Sequence, residues 1–279
     1  MASENRDGKR KYYTRICRVQ GRVTREDVGR GPIADVTAAV DELERQESAL
    51  QAKVHACHRG VLQAAEGLLK ELCDRTDLLA RAVLVSAGYY RYHGIWTLRR
   101  DAPEVHESPE AGLASDGDLK ALVQRAEIGD PAALPMVRQH AGAGSEIWQV
   151  LDGMVLEAER CWLGLVMEWQ PLLAKSVLKH YASMKAEPTG SEPRPLVALL
   201  VTCVTLTRLQ ACHLDALVAE HQANEGGKGH GRFLHGQRDR AHKRSGLMHK
   251  RLVQVRNLLP KLPEEALEST VEPPSSSEG

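Results

Sequence analysis

Between Ile33 and Leu72 runs a pattern of apolar residues that limits what this chain can fold into. Val36, Val40, Leu43, Leu50, Val54, Cys57, Val61, Ala64 and Leu68 fall on alternating steps of four and three, and Glu47 alone interrupts them. Such an alternation keeps a narrow apolar stripe on one side of an α-helix, the mark of a coiled-coil or bundle seam. Roughly forty helical residues at about 1.5 Å each make a rod of roughly 60 Å. A compact domain of this size does not need so long a helix. It therefore requires partners, from the same chain or from a second copy.

Composition points the same way. Aromatic residues make up 4% of the 279 and include one Phe, so the core is built from Leu, Val and Ala. Those residues suit helix-on-helix packing. The predicted fold is mainly α, with a short N-terminal β-hairpin, a long coiled-coil-like helix and a C-terminal helical bundle.

Residues 12–28 hold two β-prone runs about a Gln20-Gly21 turn, which predicts the hairpin. Residues 6–30 carry nine Lys or Arg against three acids. Gly29, Gly31 and Pro32 then break the chain and open the long helix. That helix is expected to end near Asp74–Asp77, with a shorter helix from Leu78 to Ala87 closed by Gly88. Four of the ten Tyr and Trp residues follow in the run 89–100, mixed with Arg91, Arg99 and Arg100. This cluster suits either base stacking or the filling of a groove between helices.

From Asp101 to Asp130 the sign reverses, with eight acids against two bases. Prolines and glycines make 101–117 a linker. Helices are expected at 118–128, 131–140, 146–170, 172–184 and 196–221, the last of these the most apolar. The final helix spans 232–259. The organisation is thus a basic arm and hairpin at 1–31, the long helix with its aromatic–basic segment at 32–100, the linker at 101–117, a bundle at 118–260, and a disordered acidic tail at 261–279.

The opening YYTRICRVQGRVTREDVGRGPIA, followed directly by a long helix, resembles that of a group of uncharacterised bacterial all-helical proteins with a basic YYxRxxRVxGRV-type hairpin. YYRYHGIWTLRR at 89–100, PLVALLVTCVTLTRLQACHLDAL at 195–217 and GRFLHGQRDRAHKRSGLMHKRLVQVRNLL at 231–259 resemble the same group. Together they cover nearly half of the chain. The hairpin is also similar to short segments near the start of some transposase-like proteins. Asp27 departs from the pattern where an aromatic is expected, and Gly94-Ile95 where more positive charge is expected. The resemblance implies an architecture and no reaction.

Candidate chemistry is sparse. The sequence has no Glu-x-x-His, no H-E-x-x-H and no G-x-S-x-G. Gly226, Gly227, Gly229 and Gly231 precede a helix, but no strand leads into them and no Lys-Ser or Lys-Thr pair follows, so they read as a hinge. His55, Cys57 and His58 lie together without the further ligands a metal needs, and Cys203 with Cys212-His213 fails alike. No catalytic residue, metal or cofactor is expected. The six cysteines form no C-x-x-C pair, the opening MASENRDGKRK lacks an apolar signal core, and the apolar run 196–206 is too short to span a bilayer. These features predict a soluble, cytoplasmic protein without a membrane partner.

Charge segregation carries the functional expectation. From Lys228 to Arg256 there are nine Lys or Arg, four His and one acid, Asp239. The leading expectation is a non-catalytic protein that binds nucleic acid non-specifically. Its candidate contacts are Arg15, Arg18, Arg22 and Arg25 in the hairpin, Arg91, Trp96, Arg99 and Arg100 in the aromatic cluster, and Arg238, Arg240, Lys243, Arg244, Lys250 and Arg251 in the last helix. Against it stands neutralisation of the last helix by the acidic 101–130 segment or the tail. The alternative function is a protein–protein scaffold or homo-oligomer that pairs through the 36–68 seam, which an exposed apolar stripe would reveal.

Overall fold

A computed structural model describes residues 3–6, 10–19, 22–29, 31–98, 116–142, 145–169, 174–186, 195–223 and 228–259. The Gln20-Gly21 turn, most of the expected linker and the whole acidic tail lie outside them. The fold is mainly α, with N-terminal strands, one long helix and a helical bundle. Packing divides the chain into two units, residues 1–63 and 64–279.

In the first unit, β1 (Ser3–Arg6), β2 (Arg10–Val19) and β3 (Arg22–Gly29) form an antiparallel sheet in that order. Val19 faces Arg22, so the hairpin has the expected register. β1 is an addition to it. Its sequence, SENR, holds no apolar or β-branched residue, so nothing in the pattern announces a strand. Helix α1 (Pro32–Ser86) opens after Gly31, whose φ of 91° favours glycine, and Asp35 N–H donates to Gly31 O at 3.1 Å.

Instead of ending at 74–77, α1 continues unbroken to Ser86. The polar cluster that suggests a break is used inside the helix. Thr76 Oγ1 donates back to Leu72 O at 2.7 Å, and the Asp77 carboxylate accepts from Arg251. Closure comes at Gly88, where Ala87 N–H reaches Val83 O and Gly88 N–H reaches Val85 O. The aromatic run that follows is a hairpin, β4 (Tyr89–Tyr92) paired with β5 (Ile95–Leu98). His93 and Gly94 make its two-residue turn with φ of 46° and 82°, the twist that two-residue hairpins favour.

The second unit is the bundle. α1 buries Ala65, Leu69, Leu72, Thr76 and Leu79 there, again on steps of four and three. The bundle's other helices are α2 (Asp116–Glu127), α3 (Leu134–Ala141), α4 (Glu146–Trp169), α5 (Ala174–Ala186), α6 (Pro195–Ala223) and α7 (Lys228–Leu258). α6 packs on α7, α4 and α5, with Leu200, Cys203, Leu206 and Leu214 fully buried. Its buried threonines Thr202, Thr205 and Thr207 donate to carbonyls of the preceding turn, which leaves no hydroxyl of theirs unsatisfied. Among the described residues α6 is the one helix long and apolar enough to cross a membrane, and 67% of that stretch is buried inside the protein.

Direct hydrogen bonds tie the bundle to α1. Trp162 Nε1 of α4 donates to Ala65 O at 3.1 Å. Arg81 of α1 grips Glu127 of α2 with two bonds of 2.7 and 2.6 Å. Tyr89 O–H reaches Leu258 O at the end of α7.

Candidate interaction surfaces

Two surfaces are candidates for contact with partners, the apolar stripe of α1 and the basic residues. Ile33, Val36, Val40, Leu43, Leu50, Val54 and Val61 are all exposed, from 44% at Val61 to 78% at Ile33, and Cys57 is exposed with them. From Glu42 to Val54 every residue of α1 is exposed, on all sides of the helix. The helix persists there on strong helix formers and on local pairs such as Arg45–Glu42 at 2.9 Å and Gln46–Glu42 at 3.1 Å.

The expected 36–68 seam thus divides. Ala64 is exposed and Leu68 is half-buried, while their neighbours Leu62, Ala65 and Leu69 are buried. The stripe used inside the protein lies one residue later, about 100° around the helix.

The sheet holds α1 by a different face. Tyr13 O–H donates to Asp41 Oδ2 at 2.5 Å, and Arg15 reaches Asp41 Oδ1 at 3.3 Å and Glu44 at 3.9 Å. Asp41 is only 3% exposed. The hydrogen bond to this carboxylate raises the Tyr13 phenol above its ordinary value. Asp41 and Ala34, the buried residues here, lie about 150° around the helix from the stripe, at about 100° per residue. The sheet therefore leaves the stripe open.

The basic residues separate into two classes. Arg244 of α7 binds Glu66 through both oxygens, at 2.6 and 3.1 Å, and Gln210 Oε1 at 3.1 Å. Arg251 is buried and bonds Asp77 and Gln254. Arg15 is paired as above, and Arg238 lies against Asp239. Burial alone pushes the Glu66 carboxyl up. The Arg244 guanidinium and the Gln210 amide more than offset it and hold Glu66 below the ordinary glutamate value.

The second class is exposed: Arg22 and Arg25 on β3, Arg91 on β4, and Arg240, Lys243 and Lys250 on α7. With Arg232, the residues Lys243 and Lys250 fall within about 20° of one line along α7. Trp96 is not a surface ring. It faces Arg91 across the hairpin and is 8% exposed. Arg99, Arg100 and the side chain of Arg18 lie outside the described residues.

Among the described residues no group of three His, Cys, Asp or Glu is placed to hold a metal ion. In the His55-Cys57-His58 run the helix turns Cys57 outward and buries His58. The residues that sequence reasoning missed are the acids Asp41, Glu66 and Asp77, each of which meets an arginine from a distant stretch. No protein-family model, curated protein or solved structure matches the chain.

The two classes of arginine and lysine are separable by experiment. Arg244→Ala leaves Glu66 buried without its cation and is expected to cost about 3–5 kcal/mol in urea unfolding, whereas Lys243→Ala stays within about 0.5 kcal/mol. Because Glu66 is held below its unfolded value, its contribution is complete above the ordinary glutamate range and is lost as pH falls below it. Arg244→Ala should therefore also flatten the acid limb of the stability profile. Equal, small effects of both substitutions would contradict this division.

Proposed function

We propose that the protein is a non-catalytic helical scaffold that self-associates through the exposed stripe of α1. The observation that carries this reading is the run of seven exposed apolar side chains from Ile33 to Val61. Contiguous exposed apolar patches mark contact sites, and scattered single residues do not. The stripe also lies on a stretch of helix with little packing of its own, where an isolated segment is marginal in water. Pairing supplies what that segment lacks.

Magnitudes place the association in a moderate range. The exposed portion of each stripe side chain is worth about 1 kcal/mol on burial, or on the order of 10–15 kcal/mol over two helices. Association itself costs roughly 4–15 kcal/mol. The expected product is a concentration-dependent oligomer. Five free thiols, at Cys57, Cys73, Cys161, Cys203 and Cys212, fit a reducing compartment such as the cytoplasm.

Sedimentation velocity over a range of concentrations tests the reading. Wild-type chain is expected to shift from monomer to a larger species, and Leu43→Lys with Leu50→Lys is expected to remain monomeric with an unchanged bundle. A wild-type chain that stays monomeric at every concentration would remove the proposal.

A second reading, non-specific binding of nucleic acid, is favoured by the exposed basic residues Arg232, Arg240, Lys243 and Lys250 on α7. It is weakened by the structural ion pairs of Arg244, Arg251 and Arg15. In a fluorescence-anisotropy titration with random duplex, this reading expects affinity that falls steeply with salt, and a shallower slope for Lys243→Glu with Lys250→Glu. No binding at low salt would exclude it.

A further inference from the structure

On the self-association reading, we propose that α1 pairs with α1 of one second copy in parallel and in register over Ile33–Val61. The order of residue types within the stripe carries the inference. Ile33, Val40, Glu47, Val54 and Val61 recur every seven residues, and Val36, Leu43, Leu50 and Cys57 recur three residues after each of the first four. The first set occupies the a positions of a heptad and the second the d positions. Every a site but one holds a β-branched residue, and two of the four d sites hold Leu.

β-Branched residues at a with Leu at d favour two parallel strands, because the two layers present side chains to the partner at different angles. Leu at a with Ile at d would favour higher assemblies. Four heptads of this pattern are long enough to specify a coil.

Glu47 fixes the register. It is the one polar residue in the stripe and it occupies an a site. In register, the two Glu47 side chains share one layer and spoil no other. A shift by one heptad would set each Glu47 against an apolar a residue and spoil two layers. A single polar a residue sets register in this way at a cost in affinity.

The flanking positions raise no objection. Parallel pairing brings Ala39 towards Glu44, Gln46 towards Gln51 and Lys53 towards His58 of the other copy. Burial, with the nearby His55, holds the His58 imidazole below its ordinary value, which disfavours the charged form that would repel Lys53. The sheet, fixed at Asp41 on the far side of the helix, does not compete for the stripe.

Cys57 provides the probe. It is exposed and occupies a d site, so in the parallel, in-register pair the two Cys57 side chains face each other within reach of a disulfide. In an antiparallel coil, d sites face a sites and two Cys57 residues never share a layer. Mild oxidation of the full chain by copper–phenanthroline removes two electrons and two protons from a facing thiol pair and forms the S–S bond.

The expected result is a covalent dimer on a non-reducing gel, with a Cys57–Cys57 peptide on digestion, which Cys57→Ser abolishes. Glu47→Val is expected to tighten association by about tenfold or more and to keep the cross-link. A chain that self-associates by sedimentation but forms no Cys57–Cys57 bond overturns the parallel, in-register pair and leaves self-association standing. Unchanged affinity in Glu47→Val would overturn the role of that layer. A monomer at all concentrations removes both proposals together.

Discussion

One helix carries two apolar stripes, and the remainder of the structure follows from how they are placed. On α1 the buried stripe Leu62, Ala65 and Leu69 runs one residue behind Val61, Ala64 and Leu68. A step of one residue turns about 100° around the helix, so the two stripes look in different directions. The later stripe carries the bundle, where Leu69, Leu72 and Leu79 are fully enclosed. The earlier one, from Ile33 to Val61, remains in water. The sheet takes a third face through Asp41 and, among the described residues, leaves this stripe exposed.

Charge works with this division. The chain has equal numbers of acidic and basic residues, strongly segregated in sequence, yet part of the segregation cancels on folding. Glu66 with Arg244 and Asp77 with Arg251 are ion pairs between α1 and α7, and Tyr89 with Leu258 continues the same order. The three contacts ascend together along both segments, so α7 runs beside α1 in the same direction. Such enclosed pairs contribute little net stability beside an apolar replacement, but leaving one partner alone is costly. They set the pairing of α7 along α1, which a Leu-, Val- and Ala-rich core specifies weakly. What is left over on α7 is a narrower line of exposed cations.

Much of the fold was legible in the sequence. The three-and-four spacing located α1, the basic run with its Gln-Gly turn located the β2–β3 hairpin, and the apolar stretch after Pro195 located the most enclosed helix. The phase of the stripe within the bundle was not legible, because Val61 and Leu62, and Leu68 and Leu69, are adjacent apolar pairs and either phase satisfies the period. Nor was the continuity of α1, since Asp74-Arg75-Thr76-Asp77 has the composition of a helix end until Arg251 arrives to pair with Asp77. Trp96 illustrates the same limit. Its composition reads as a stacking platform, whereas the ring is buried at 8% exposure opposite Arg91. The division of α7 between Arg244 and Lys243, neighbours in sequence, depends on where Glu66 and Gln210 stand.

Completion of the bare segment Glu42–Val54 by another copy is the central proposal, and amide hydrogen exchange resolved to that segment tests it most directly. With pairing through the stripe, its amides exchange slowly at high protein concentration and lose protection on dilution, while the buried part of α1 around Leu69 and Leu72 stays protected throughout. Exchange in Glu42–Val54 at unprotected rates at every concentration would contradict the account. So would protection that does not change on dilution across the range where the chain is shown to dissociate.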